Sequence, residues 1–407
     1  MLMSERVMTV GYTGGSTRSL LRLVRARQPI SRAELARQLG IERSTVTDIV
    51  KPLINSRVLR ETEPLGSPIA RSSGRPGLGL VLNTRDEFFI GVNIGVRRSH
   101  IGAVTVDGRV IAEEVFDTPG DAREALRLVR SSVLGLCARA GGGSLSVIGV
   151  SVPGPTCAER RRLLYAPHLG WRDVAIADAL QGLGVEDEGD LADMPVIVEN
   201  DATAAAMFEA CTRLSKETRE EWRNFALVRA GTGIGVGLVL DGEVYRGAGA
   251  NGGWAGEFGH MTIVADGKAC PCGNRGCWER YASASSAALL YTGDRAAARS
   301  SAPRFIEIVA RAGSGERRAQ ATLEQVGHYL GIGVANVMSG LGVSRVVVSG
   351  RVVHGWKFMR EALQKAVRRS MAGRLAQWSV VAGKATGAGL GGAIEVAVDQ
   401  YWKHLAG

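Results

Sequence analysis

Residues 257–279 read EFGHMTIVADGKACPCGNRGCWE and place one histidine, three cysteines and two glutamates in a short stretch. His260, Cys270, Cys272 and Cys277 supply one imidazole and three thiols, a donor set that Zn²⁺ accepts in tetrahedral Cys3His sites. Thiolates disfavour Mg²⁺ and Ca²⁺, which prefer oxygen ligands. Free loop cysteines or a redox pair are the alternatives, but both leave the nearby His260 unexplained. We predict a structural zinc ion, because four protein ligands leave no position for a catalytic water.

Length and composition describe a globular protein of more than one domain. The chain has 407 residues, of which 45% are apolar and 22% charged. No apolar run is long enough for a membrane span, and the first residues lack the apolar core of a secretory signal. Cys137, Cys157 and Cys211 are isolated in apolar surroundings and predict buried thiols. We therefore expect a protein of the reducing cytoplasm.

Basic residues are concentrated near the start of the chain. Residues 1–80 carry 13 Lys and Arg against 6 Asp and Glu, which is most of the net charge of +10. Residues 1–15 have no apolar period and predict a disordered arm. A separate basic module after this arm predicts a polyanionic partner.

The pattern of residues 16–55 is typical of a helix-turn-helix. A helix over residues 16–26 precedes the capping box formed by Ser31 and Glu34, which opens a short helix. Gly40 supplies a turn, and a longer helix follows from Arg43 to Asn55. The second helix of this motif enters the major groove. Its outward face carries groups that hydrogen-bond bases or phosphates: Arg43, Ser44, Thr45, Thr47 and Lys51.

Two strands after these helices predict a wing. Val58–Glu61 and Gly79–Leu82 flank a loop rich in Gly, Ser, Pro and Arg, with Arg71 and Arg75 at its tip in reach of a phosphate or the minor groove. Residues 16–82 are thus predicted to be a winged helix-turn-helix domain that binds operator DNA. A three-helix bundle for protein docking is the alternative.

From Asn83 the pattern predicts two α/β lobes, residues 83–200 and 201–407. The first has a three-stranded meander over residues 88–116, a helix over 119–139 and buried strands at 147–152 and 195–198. A weaker second cycle has strands at 225–229, 235–240, 243–246 and 345–348, with a long helix at 319–341. Gly387–Ala393 opens a last helix that we expect to return to the first lobe. Two such lobes imply a cleft between them, where small-molecule sites usually lie.

Two motifs fall near this cleft. Glu199-Asn200-Asp201 stands where a buried strand gives way to a helix, so Asp201 is either a general base toward a hydroxyl or a helix cap. The loop that contains Gly231, Thr232, Gly233 and Gly235 is either a phosphate cradle or a tight turn between strands. Strand-like residues follow it, so it is not a dinucleotide-binding fingerprint.

Together these residues resemble the ROK family of repressors, open reading frames and sugar kinases. The Glu-x-x-His pair followed by CxCGxxGCxE matches the family signature, and SRAELARQLGIERSTVTDIV with SGRPG resembles the helix-turn-helix and wing of its repressor branch. The resemblance implies a two-lobed fold of the actin-like ATPase (RNase H-like) class and a homodimer or dimer of dimers. It also implies a sugar or sugar-phosphate effector in the cleft. By the same resemblance, the sugar-binding residues are Asn200, Asp201, Glu257, His260, Glu279 and, through its backbone, Gly154.

One loop departs from the kinases of the family. Their first phosphate loop reads DxGGT, whereas this chain has Asn93, Val96 and Arg97 at the corresponding Asp, second Gly and Thr. Phosphoryl transfer depends on such anchors, so we predict no kinase activity. The leading prediction is a sugar-responsive transcriptional regulator, a repressor of carbohydrate-metabolism genes. The alternatives are an ATP-dependent hexose kinase with Asp201 as its base and a regulator controlled by a protein partner.

Overall fold

The computed structural model describes residues 14–64, 77–84, 87–182, 191–215, 222–248, 253–293 and 302–406. Arg71 and Arg75 of the predicted wing tip lie outside these residues, as do residues 1–13 of the predicted arm. Gly14 already belongs to the first helix, which therefore begins two residues earlier than the sequence pattern predicts.

The described elements alternate between helices and strands along the chain. The helices are α1 Gly14–Arg27, α2 Arg32–Leu39, α3 Arg43–Asn55, α4 Ala122–Arg139, α5 Ile176–Gln181, α6 Asp201–Leu214, α7 Glu279–Ala282, α8 Ala284–Thr292, α9 Phe305–Gly313, α10 Arg317–Leu341, α11 Trp356–Arg369, α12 Met371–Leu375 and α13 Ala388–Ala406. The strands are β1 Ile30–Ser31, β2 Leu59–Pro64, β3 Leu78–Leu82, β4 Glu87–Ile94, β5 Arg98–Thr105, β6 Val110–Asp117, β7 Ser144–Val152, β8 Leu163–Ala166, β9 Trp171–Val174, β10 Val196–Asn200, β11 Phe225–Ala230, β12 Ile234–Leu240, β13 Glu243–Tyr245, β14 Arg345–Ser349 and β15 Ser379–Ala382. None of the described helices has the length and apolar content that a membrane span requires.

The first three helices form the predicted helix-turn-helix. The Ser31 hydroxyl caps α2 by accepting a hydrogen bond from the Glu34 N–H at 3.2 Å. In place of the second half of the predicted capping box, the Glu34 carboxylate accepts hydrogen bonds from the Arg37 and Gln38 side chains. Gly40 makes the turn between α2 and α3 with a left-handed φ of 67°.

The predicted wing hairpin is present after α3. β2 and β3 pair antiparallel, with Leu59 opposite Leu82. β1 pairs with the other side of β3 and completes a three-stranded sheet. β1 was not predicted, because two residues are too few to show a strand pattern.

The two lobes share one topology. The first sheet has the order β10-β7-β4-β5-β6, and the second has the order β13-β12-β11-β14-β15. In both, an antiparallel meander is extended by two parallel strands. The predicted repeat is confirmed, and the second copy is complete, because the unpredicted β15 takes the place that β10 has in the first.

Two helices cross between the lobes. α6 follows β10 of the first lobe but packs on β11 and β12 of the second, whereas α13 follows β15 and packs on β4 and β7 of the first. α13 approaches the first sheet closely because Gly149 has no side chain: a Cβ at this position would lie 2.1 Å from the carbonyl oxygen of Ala393. Each sheet is thus covered by a helix that follows the other sheet in the sequence.

A matched pair of substitutions tests this close packing. Gly149→Ala is expected to lower the free energy of unfolding by roughly 1–3 kcal/mol, because the backbone of α13 must move away from the sheet. Gly135→Ala, in α4, introduces a Cβ with nothing within 4 Å. In a helix interior this change is expected to stabilise the protein by about 0.5–1 kcal/mol. Urea unfolding of both variants measures the difference, and a Gly149→Ala protein as stable as wild type would contradict the packing.

The N-terminal helix is held against α13. Arg22 Nη2 lies 2.5 Å from Asp399 Oδ1, and Arg25 pairs with Glu395. Both carboxylates are buried. The apolar core of the N-terminal domain continues into α13, where it includes Trp402. The helix-turn-helix is therefore packed onto the two-lobed part of the chain.

These ion pairs revise the interpretation of the basic N-terminal charge. Three arginines of this segment form ion pairs within the protein, with Glu243, Glu395 and Asp399 as partners. They are Arg18, Arg22 and Arg25. These three arginines of the basic segment therefore have their partners within the protein. The composition of a segment does not distinguish charges that face solvent from charges that face another domain.

Candidate functional site

A cavity of about 400 Å³ lies between the two sheets. Its volume falls in the range of small-molecule sites. All predicted sugar-binding residues line it: Gly154, Asn200, Asp201, Glu257, His260 and Glu279. The residues of both predicted phosphate loops also line it: Asn93, Val96, Arg97, Gly231, Thr232, Gly233 and Gly235.

The four predicted metal ligands converge at the edge of this cavity. The ligand atoms of His260, Cys270, Cys272 and Cys277 all lie within 4.8 Å of one another. Cys270 Sγ is 3.6 Å from His260 Nδ1, and Cys272 Sγ is 3.8 Å from Cys277 Sγ. A tetrahedral ion with metal–sulfur bonds of ~2.3 Å separates its ligand atoms by roughly 3.8 Å. The cluster therefore has the dimensions of a tetrahedral metal site.

The burial of the thiols affects their ionisation. Burial raises the pKa of Cys270, and it raises the pKa of Cys277 to about 11. In the absence of a cation, both thiols therefore keep their protons at neutral pH. A divalent metal stabilises the thiolates and releases these protons.

Trp278 anchors the cysteine loop to the second lobe. Its side chain is fully buried, and its Nε1 donates a hydrogen bond to the Tyr329 carbonyl of α10 at 2.9 Å. Trp278 stands between Cys277 and Glu279 in the sequence. The anchor therefore positions a cysteine of the cluster and a cleft carboxylate together.

His260 faces the metal cluster and the cleft at once. Its Nδ1 is directed at the cysteines, and its Nε2 lies 3.8 Å from Glu257 Oε2. The 3-10 helix Glu257–His260 places the two side chains three residues apart on one turn. This geometry is compatible with the double role predicted for the imidazole.

The cleft carboxylates differ in their ionisation. Burial raises the pKa of Glu257 to about 7, and the negative charges of Asp201 and Glu279 add to the rise. Burial also opposes ionisation of Glu279, but the hydrogen bond from His168 and the charges of His168 and His260 outweigh it and lower the pKa. Glu279 is thus an anionic acceptor at neutral pH, whereas Glu257 takes both forms.

Glu279 lies against the glycine loop. Its Oε2 is 3.4 Å from the Ile234 N–H and 3.3 Å from His168 Nε2. A Cβ at Gly233 would lie 2.3 Å from this oxygen, so any larger residue here would displace the Glu279 carboxylate. The Gly231 N–H donates to the Gly233 carbonyl at 2.9 Å. The loop forms the turn between β11 and β12 and also lines the cleft, and its role as a phosphate cradle stays a prediction.

Asn200 and Asp201 are already bonded within the protein. Asn200 Oδ1 caps α6 by accepting from the N–H groups of Ala202 and Thr203, which corrects the suggestion that Asp201 is the cap. Asn200 Nδ2 donates to the Gly154 carbonyl at 3.2 Å and to Glu257 Oε1 at 3.3 Å. The Asn200 side chain thus links the start of α6 to the Gly154 backbone and to the Glu257 carboxylate.

Three residues that line the cleft were not predicted from the sequence. His168, in the turn between β8 and β9, contacts Glu279 from 111 residues away. Arg229 Nη1 lies 2.8 Å from Asp201 Oδ2, and Arg351 Nη2 donates to the Thr232 hydroxyl at 2.6 Å. None of the three belongs to a local motif. The low number of histidines, six in the chain, was the only signal that could have drawn attention to His168.

The predicted DNA-contacting face of α3 is exposed. Arg43, Ser44, Thr47 and Lys51 are exposed and Thr45 is half-buried. The Thr47 hydroxyl donates to the Arg43 carbonyl at 2.9 Å, so it is bonded to its own helix. The opposite face, with Val46, Ile49, Val50 and Leu53, is buried.

Comparison with known proteins covers both parts of the chain. Residues 89–400 match the model of the ROK family, and residues 15–60 match a model of winged helix-turn-helix DNA-binding domains. The xylose repressor of Bacillus spizizenii is 27% identical over 352 residues, which cover 86% of this chain and 85% of that protein. The glucokinase of Streptomyces coelicolor is 28% identical over 310 residues, which cover 72% of this chain and 90% of that protein.

A solved structure has the same fold over nearly the whole length. The crystal structure of a ROK family transcriptional regulator, a homolog of the E. coli MLC protein, superposes with a TM-score of 0.73 at 23% identity. It covers 97% of this chain and 98% of that chain. The family model matches more than three quarters of the residues of this chain. This chain therefore belongs to the ROK family, and it carries an N-terminal winged helix-turn-helix domain.

Proposed function

We propose that this chain is a sugar-responsive repressor of carbohydrate-metabolism genes. One observation carries the proposal. A helix-turn-helix with an exposed polar face is packed through α1 and α13 onto a two-lobed domain with a polar cleft. The similarity to a xylose repressor, which extends over 86% of the chain, supports the same conclusion.

In this proposal the effector hydroxyls bind at the carboxylate end of the cleft. Glu257, Glu279 and His260 face the cavity, and carboxylates and imidazole exchange hydrogen bonds with vicinal hydroxyls. Asp201 and Gly154 extend this surface. Asn200, whose amide is bonded to Gly154 and Glu257, acts by positioning these groups.

The metal in this proposal is a structural Zn²⁺ held by His260, Cys270, Cys272 and Cys277. The ion would stabilise the thiolates and fix the loop that carries His260 and Glu279. The residues themselves supply the contacts to the sugar.

DNA binding is assigned to the exposed face of α3, with Arg43 and Lys51 as its charged groups. We propose that two copies act as a homodimer, or that dimers pair, because a symmetric dimer presents two such helices to two half-sites. The effector must then bind the DNA-competent and DNA-incompetent arrangements with different affinities, since equal binding shifts no equilibrium.

A hexose kinase is the second candidate, and the similarity to a glucokinase supports it. Two contacts and one residue of the first phosphate loop oppose it. The Asn93 amide oxygen accepts a hydrogen bond from Ser151 at 3.0 Å, Arg97 stands in the first phosphate loop, and Asp201 is paired with Arg229. Turnover of a hexose with ATP and Mg²⁺, lost in Asp201→Asn, would favour the kinase.

DNA binding with and without sugar tests the repressor proposal. A duplex selected by the protein from a random library is titrated by fluorescence anisotropy, and Arg43→Ala is expected to weaken binding by about 1–3 kcal/mol. Arg374→Ala, which removes an exposed charge on α12, serves as the matched control. At least one sugar in a panel of pentoses and hexoses, free and phosphorylated, is expected to release the DNA. Equal DNA affinity of the two variants, or a sugar that binds without changing DNA affinity, would contradict the proposal.

A further inference from the structure

Helix α1 contacts carboxylates from both lobes. Arg22 Nη1 lies 2.9 Å from Glu243 Oε1, on strand β13 of the second sheet. Arg22 Nη2 lies 2.5 Å from Asp399 Oδ1, on helix α13, which packs on the first sheet. Arg18 also pairs with Glu243, and its Nε lies 3.8 Å from Asp399 Oδ1. The two arginines therefore connect the lobes through one helix of the DNA-binding domain.

The Asp399 side of this connection is buried. The side chain of Asp399 is only 6% exposed, and those of Arg18 and Arg22 are 19% and 20% exposed. Burial opposes ionisation of Asp399, but the charges of Arg22, Lys403 and Arg18 outweigh it and hold its pKa well below the usual range. Separating such a pair would leave a buried charge without its partner, which is strongly unfavourable. When the carboxylates move, we therefore expect α1 to move with them.

Strand β13 is also bonded to residues beside the cleft. Arg246, directly after β13, donates from Nε to Glu199 Oε2 at 2.6 Å. Glu199 Oε1 accepts a hydrogen bond from the Asn200 N–H at 3.1 Å, and the Asn200 side chain lines the cleft and donates to Glu257. Arg246 is only three residues from Glu243. One short strand is thus bonded to the cleft at one end and to α1 at the other.

The position of β13 allows it to respond to movement between the lobes. It is an edge strand of the described second sheet, where it pairs with β12 over three residues. Glu199, by contrast, ends β10 of the first sheet, so its pair with Arg246 crosses from one lobe to the other. A change in the angle between the lobes therefore acts directly on this strand.

We propose that β13 couples the cleft to the helix-turn-helix, with Glu243 as the residue through which α1 follows the second lobe. Ligands that bind between two lobes often close them by a hinge or shear movement. Such a movement changes the distance between Glu243 and Asp399, which Arg18 and Arg22 connect, and displaces α1. Because α1 shares one apolar core with α2 and α3, the DNA-contacting helix is displaced as well. This inference rests on the proposed function, because it names the route by which the effector changes DNA binding.

Fluorescence anisotropy of the full chain on its selected duplex tests this coupling. DNA affinity is measured without sugar and with each member of a panel of pentoses and hexoses, free and phosphorylated. The coupling factor is the ratio of the two affinities for the sugar with the largest effect, and roughly 5- to 150-fold is expected for wild type. Glu243→Gln is expected to reduce this factor by about 2- to 30-fold, because a neutral amide no longer attracts both arginines.

Two further variants and one binding measurement make the result specific. Arg246→Gln removes the bond at the other end of β13 and is expected to reduce the coupling factor in the same direction. Glu307→Gln removes a carboxylate that pairs with Arg304 on α9, and it is expected to leave the factor unchanged. Glu243 is 43% exposed and lies outside the cavity lining, so Glu243→Gln is expected to stay folded and to bind the sugar in calorimetric titration.

The outcomes separate this inference from the proposed function. A coupling factor that neither Glu243→Gln nor Arg246→Gln reduces would overturn the role of β13 and leave a sugar-responsive repressor intact. An equal reduction in Glu307→Gln would mean that any lost charge has this effect, which would also overturn it. If no sugar changes the DNA affinity of wild type, the proposed function fails, and the coupling fails with it.

Discussion

Cys277→Ser is expected to abolish zinc binding and to lower the thermal stability of the second lobe. Cys277 is fully buried, and its sulfur lies 3.8 Å from that of Cys272. Loss of groups that only support a ligand costs about 10- to 100-fold in metal affinity, so loss of a thiolate ligand is expected to cost at least as much. Elemental analysis after gel filtration is expected to give one zinc per chain for wild type and none for the variant.

The same variant is expected to bind sugar more weakly. Cys277 and Glu279 flank the anchored Trp278, so a loop released from the metal moves the carboxylate away from His168. Cys157→Ser is the control, because Cys157 lies outside the metal cluster and its sulfur accepts one hydrogen bond that a hydroxyl can also accept. Full zinc content and unchanged melting in Cys277→Ser would show that the cluster does not hold a structural metal.

Glu395→Ala is expected to destabilise the protein by about 3–5 kcal/mol, because it leaves the buried Arg25 without its counter-charge. The side chains of Arg25 and Glu395 are only 6% and 11% exposed. Glu114→Ala breaks an exposed pair, with Arg139, and is expected to cost at most about 1 kcal/mol. Urea unfolding of the two variants measures the difference, and similar values for both would contradict a buried pair.

A double variant identifies the source of this loss. Arg25→Met combined with Glu395→Met replaces the pair by apolar groups and is expected to recover much of the stability. Recovery is incomplete, because Arg25 Nε also donates to the Val106 carbonyl at 2.7 Å, which loses its partner. A double variant no more stable than Glu395→Ala would mean that the loss comes from packing of α13 and not from the unpaired charge. The stable double variant then allows a measurement of whether sugar still releases DNA when this link is absent.

The sequence was most informative where function lies in a short segment. The four predicted metal ligands lie within 18 residues, and their spacing alone predicts the cluster that the structure brings together. The strands of both meanders show apolar runs, and these strands were also predicted. Contacts such as His168 with Glu279 and Arg351 with Thr232 join residues more than 100 positions apart. Such contacts leave no local pattern, which is why the positions of His168 and Arg351 in the cleft became evident only from the fold.

The same limit applies to the basic N-terminal charge. The composition of this segment does not indicate that Arg22 and Arg25 pair with carboxylates of α13. Helix α1 has an apolar face made by Leu20, Leu21 and Val24, and the sequence does not specify what covers it. A periodic pattern predicts that a face is buried, but only the tertiary structure identifies the element against which it packs.

The pairing of α1 with α13 also has a consequence for synthesis of the protein on the ribosome. Arg25 and Glu395 are 370 residues apart. At translation rates of 5–20 residues per second, about 20–70 s pass between the two. During this time the helix-turn-helix has emerged with its apolar face and its arginines without the helix that covers them. A nascent or truncated chain that lacks α13 is therefore expected to expose an apolar and basic surface that α13 covers in the folded protein.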